Sequence, residues 1–272
     1  MQRPLFVEIA GGLLLLFAWI LVESRILDLP PLVGTAEVLF LGALFAWRYL
    51  LPSSDPAQIE RRARSRARAL GPQLPWAIAS AVTVAVFLIG FVSIYARFVP
   101  PTPEPIDTLV EFLRQPYAMV PILLTDVVVD PMVQEVIFRG WIQGRLSTDF
   151  GPEMAIVSAA GIFAAVRPST WEIPPLFLFG LASGYTVYLT RSVWSGVLMS
   201  AVFSLGSDLL QPPLVVGDPL APITGGPDGV RNTIVLMLAA AIASILVWHR
   251  QRIVRDALAA RDAGPPGDAA AD

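Results

Sequence analysis

"VQEVIFRGWIQGRL" runs from Val133 to Leu146 and sets Glu135 and Arg139 into an otherwise apolar stretch. Charges at membrane depth are costly, and where they occur they mark packing or function. The two residues are four apart, so on a helix they share a face and can pair. The residues just upstream, "TDVVVDPM" (Thr125–Met132), extend the same helix. There Asp126, Asp130 and Gln134 recur at four-residue steps and form a second polar row. Pro131 has no amide hydrogen and predicts a kink beside the two aspartates, with backbone carbonyls released from the helical ladder.

The surrounding chain supports a membrane setting. It has 272 residues, of which 55% are hydrophobic and only 15% charged, and its mean hydropathy is +0.64. That places it with integral membrane proteins. There is no cysteine, hence no disulfide framework, thiolate metal site or cysteine nucleophile. The one histidine, His249, is remote from the polar rows, which removes most histidine-based hydrolysis and metal binding. No Walker loop, zinc signature, nucleic-acid motif or internal repeat is present, so no cofactor, metal or nucleic-acid partner is expected.

Eight apolar stretches are candidate spans, each judged against the ~20 residues needed to cross a bilayer. They are Leu5–Val22, Leu32–Leu51, Leu74–Tyr95, Ala118–Trp141, Met154–Val166, Pro174–Leu189, Val193–Leu210 and Thr233–Trp248. The expected fold is therefore an all-α polytopic bundle of about eight spans. The first span lacks a small-residue cleavage site and is read as retained rather than as a signal peptide. Trp19, Trp47, Trp76, Trp141, Trp171, Trp194 and Trp248 all fall near span ends, where interfacial anchoring predicts them. Four regions follow: a three-span N-terminal part (1–116), a polar-bearing core (117–211), a last loop and span (212–256), and a tail (257–272) whose Ala, Gly, Pro and Asp content reads as disordered.

Arginine sets the expected orientation. "ERRARSRARAL" (Glu60–Leu70) carries Arg61, Arg62, Arg64, Arg66 and Arg68 between spans two and three, and "HRQRIVR" (His249–Arg255) follows span eight. The positive-inside rule makes both cytoplasmic, together with both termini and with Arg3, Arg145 and Arg191. A bacterial inner membrane is the expected location. The Arg61–Arg68 run also has a binding reading, for anionic lipid head groups, although a plain topology determinant accounts for it as well.

The seventh span has its own polar row: Ser200, Ser204 and Asp208 at four-residue steps. Such serines often serve only as helix–helix seams.

"QEVIFRGWIQGRL" resembles the first signature of the CAAX-protease and bacteriocin-processing family of intramembrane glutamic proteases: two adjacent glutamates, three residues, an arginine, then a glycine and a "GRL"-like end. "FAAVR" (Phe163–Arg167) resembles the second motif, in which a histidine follows a phenylalanine by four residues. "SAVFS" (Ser200–Ser204) resembles the third, a histidine followed four residues on by asparagine or aspartate. The resemblance covers about Ala118–Leu210. It implies a site at Gln134, Arg167, Ser200 and Ser204, gathered in one cavity, with Gln134 where the family's water-activating glutamate stands. Gln134 cannot accept a proton as a carboxylate does. Arg167 stays protonated, and the serines have no histidine to activate them.

Glu135 and Arg139 remain as a structural pair. The resemblance thus implies a degenerate protease that binds a membrane segment or partner protein within the bilayer. Two alternatives stay open. One is a divergent active peptidase using Asp126, Asp130, Glu135 or Asp208. The other is a proton-coupled transporter using the same acids as relays.

Overall fold

A computed structural model describes residues 5–99, 111–166, 170–210 and 226–262. These residues are helical, with no strand among them. In chain order the main helices are α1 (Leu5–Glu23), α2 (Pro31–Tyr49), the short α3 (Pro56–Arg64) and α4 (Leu74–Phe98). Next come the composite α5 (119–150), α6 (Pro152–Ala165), α7 (Ile173–Thr190), α8 (Val193–Leu210) and α9 (Gly226–Asp262).

Among the described residues, five segments are long and apolar enough to cross a membrane: Ile9–Asp28, Pro31–Tyr49, Gly71–Phe98, Thr170–Thr190 and Gly229–Arg261. Pro152–Ala165 and Val193–Ser207 are shorter apolar helices. The expected fourth span corresponds to α5, which carries the acidic residues and is absent from the five. All eight sequence stretches thus map to helices, but with unequal spanning capacity. α9 also runs past Trp248 and through the first part of the expected tail to Asp262.

α4 is the hub and packs against α7, α8 and α9. Its inward face is made of small residues, with Ala77, Ser80 and Ala81 fully buried. Lipid tails are as apolar as leucine, so helices in a bilayer associate through close packing of small side chains and through hydrogen bonds. Both devices appear together here. Ser80 and Thr186 hydroxyls lie 3.2 Å apart, and the Trp248 indole donates to both, at 2.9 and 3.0 Å. Large apolar side chains instead point outward from α1, α2 and α9, among them Phe17, Phe40, Leu236 and Ile245, as a lipid-facing surface requires.

The tryptophans divide against expectation. Trp47 is exposed near the end of α2, but Trp19 is buried and Trp248 serves the interior hydroxyl pair. Interior acceptors draw these indoles inward, because an indole N–H in a dry bundle needs a partner.

α5 is a continuous helix with two π segments, Thr125–Val129 and Val136–Ile142, around an α-helical turn Asp130–Glu135. Pro131 explains the first. It cannot donate to the carbonyl four residues back, and its ring crowds that carbonyl, so the preceding turn widens. The second faces the loop after α3. A Cβ on Gly140 would stand 2.9 Å from the Ser65 carbonyl oxygen, so only glycine lets that loop lie directly on the helix.

Candidate functional site

The α-helical turn between the π segments presents Asp130 and Gln134 on one side and Glu135 on the other. Asp130 and Gln134 are nine-tenths buried, and Gln134 Nε2 donates to Asp130 Oδ2 at 3.3 Å. The Trp19 indole of α1 donates to the other Asp130 oxygen. Asp126, in the first π segment, and Glu23, at the end of α1, complete an acidic group. One carboxylate oxygen from each of Glu23, Asp126 and Asp130 lies within 4.8 Å of the others.

These residues line a half-open cavity of about 230 Å³. Gln134, Ser200 and Ser204 all reach it, and Phe163 of α6 and Phe179 of α7 form its apolar side. Three of the four positions implied by the resemblance therefore share one cavity. Arg167 and the side chain of Asp208 lie outside the described residues. Glu23 and Trp19 are additions that the sequence reading missed. Trp19 and Asp130 are 111 positions apart, and the only local trace was an acid at the end of the first span.

Chemically, the cavity offers carboxylate oxygens as acceptors, an amide, and hydroxyl donors. One oxygen from each of Glu23, Asp126 and Asp130 lies close enough to the others to reach a single shared cation.

Glu135 faces away from this cavity. Its Oε2 lies 3.4 Å from Arg139 Nε and accepts a 2.7 Å hydrogen bond from Ser183 of α7, while Arg139 Nε donates to the same hydroxyl at 3.3 Å. Both charged side chains are essentially unexposed, at 1% and 0%. The guanidinium also sits 5.4 Å from the centre of the Phe163 ring, a cation–π distance. Its Nη1 and Nη2 are buried without hydrogen-bond partners. Gly196 of α8 closes the pocket, since a Cβ there would fall 2.2 Å from Glu135 Oε2. One ion pair thus ties α5 to α7 and α8.

Residues 116–206 match the Rce1-like family of type II CAAX prenyl endopeptidases. The match covers about a third of the chain. It contains α5 to α7 and most of α8, including Gln134, Ser200 and Ser204, and ends before Asp208. No curated protein and no solved structure matches the chain. Over that third the chain is similar to type II CAAX prenyl endopeptidases, and its apolar helices mark it as a membrane protein.

Proposed function

We propose that the chain is a catalytically degenerate relative of these endopeptidases, which holds a membrane segment or partner protein at the cavity between α5 and α8. One observation carries the reading. Gln134, at the position of the family's catalytic glutamate, spends its amide N–H on Asp130. An amide cannot deprotonate water, and loss of a general base typically removes about 100- to 10,000-fold in rate. The serines and phenylalanines of the cavity can still bind a helix or an extended segment by hydrogen bonding and packing. The loops carrying Arg66, Arg68 and Arg191 meet around one cavity, which favours a cytoplasmic placement of that end, with both termini inside and an inner-membrane location.

The test has two arms. A photo-crosslinking residue at Phe203 should capture a membrane protein in native membranes, and the same residue at lipid-facing Phe40 should not. Purified protein in lipid nanodiscs should leave a pool of prenylated and unprenylated membrane-protein tails intact by mass spectrometry. A second reading rests on the three clustered carboxylates: an acid-based peptidase using Glu23, Asp126 or Asp130. Cleavage abolished by Asp130→Asn in folded protein would establish it and sink the first.

A further inference from the structure

The arginine run after α2 has two unlike halves. Arg61 pairs with Asp55 at 3.6 Å, Arg64 pairs with Glu60 at 3.0 Å, and Arg62 donates to the Leu50 carbonyl at 3.1 Å. All three lie on α3 and have protein partners. Beyond Ser65 the chain turns sharply, and Arg66 takes a left-handed backbone with φ 54°. Arg191, at the end of α7, has the same φ of 54°. Side-chain-bearing residues adopt this conformation at a cost, and such strain collects at binding sites. The two turns are tied together: Val193 N–H donates to the Arg66 carbonyl at 3.0 Å, and the Ser192 hydroxyl donates to the Arg68 carbonyl.

The result is a cavity of about 390 Å³ lined by Arg66, Arg68, Arg191, Gln143, Ser147 and Tyr188. Its size lies within the range of small-molecule clefts, roughly 300–1,000 Å³. None of the three arginines has an acidic partner among the described residues. Arg66 is held in place by a 3.0 Å bond from Nη2 to the Ser147 hydroxyl. Burial and the neighbouring Arg68 charge both push its guanidinium below the ordinary arginine value, as expected of cations gathered without counter-charge. Gln143, 2% exposed, lines the same cavity and is anchored by its Nε2 donating to the Gly184 carbonyl at 2.9 Å. Among the described residues this pocket gathers cationic charge with no acidic side chain to balance it.

We propose that this cavity binds a phosphate group, held by Arg66, Arg68 and Arg191. Guanidinium forks match phosphate oxygens in geometry and charge, and three of them exceed what a single carboxylate can use. The phosphate belongs either to an anionic phospholipid head group or to a soluble phosphate ester. This site is separate from the acidic cavity and does not depend on whether the chain cleaves peptides.

The test uses the full chain in two arms. In the first, native mass spectrometry counts phosphatidylglycerol adducts from micelles containing phosphatidylglycerol and phosphatidylcholine. In the second, thermal melting is followed in inorganic phosphate against chloride at equal ionic strength. The probe variant is Arg68→Gln with Arg191→Gln, both at exposed positions. The control, Arg61→Gln with Arg64→Gln, removes the same two charges from α3. Loss of two charge-assisted contacts should weaken binding by about tenfold or more in the probe variant, and the control should bind like the parent. Binding of phosphatidylglycerol alone identifies a lipid site, and stabilisation by phosphate alone identifies a soluble ester. Equal loss in both variants, or no response of the parent to either probe, overturns the proposal.

Discussion

Replacing Glu135 by alanine should be among the most damaging single changes in this chain. Among the described residues the carboxylate is the only charged partner of Arg139, which is 0% exposed. Without it the guanidinium keeps only the Ser183 hydroxyl and the face of Phe163, with Nη1 and Nη2 still unpartnered. Removing one member of a buried ion pair costs about 3–5 kcal/mol, because the remaining charge is stranded rather than because the pair was strongly stabilising. At about 2–4 °C per kcal/mol for a chain of 150–250 residues, the expected drop in melting temperature is roughly 6–20 °C. Tryptophan fluorescence during thermal melting in detergent would measure it. The double variant Glu135→Leu with Arg139→Met removes both charges at similar volume and should recover most of the loss, since apolar replacement of a buried pair is often neutral or stabilising. A single variant melting within about 2 °C of the parent, or a double variant worse than the single, would refute the reasoning.

Ser183→Ala removes the hydroxyl that bridges both charges and should cost about 1.5–3 kcal/mol in the same melts. Gly196→Ala places a Cβ 2.2 Å from the Glu135 carboxylate, so it should lower membrane accumulation more than Gly161→Ala, where a Cβ meets nothing within 4 Å. Gly140→Ala presses on the Ser65 carbonyl at 2.9 Å and should lift the arginine turn, read as faster trypsin cleavage at Arg66 or Arg68. Gln134→Glu replaces a donor to Asp130 with a fourth carboxylate, so it should lower stability by about 1–3 kcal/mol and yield no peptide cleavage by mass spectrometry.

Periodicity and composition made the helical architecture legible, because apolar length and arginine placement are properties of the chain itself. The four-residue spacings of Asp130 with Gln134 and of Glu135 with Arg139 survive as contacts, at 3.3 and 3.4 Å. What escaped depended on which helices meet. Glu23 and Trp19 join the acidic cavity only because α1 packs along α5, and Ser183 was one small residue among many in "FGLASGY". The division of the arginine run into partnered and unpartnered halves was hidden too, since it follows from a left-handed turn at Arg66 that no residue type announces. His249 is exposed within α9 and is not among the residues lining the acidic cavity.

The π segments of α5 have a consequence for insertions and deletions. Each holds more residues per turn than an α-helix, so the chain carries slack at Thr125–Val129 and again at Val136–Ile142. Deleting one residue within Thr125–Val129 would let that turn relax to α geometry without breaking the helix. The narrowing of the turn would take up the lost residue, and the helix on either side would keep its facing. A deletion within the α-helical turn Asp130–Glu135 has no such slack and would rotate one side against the other by about 100°. Asp130 would then lose the face it shares with Gln134. A one-residue gap should therefore be tolerated in the π segments and damaging between them.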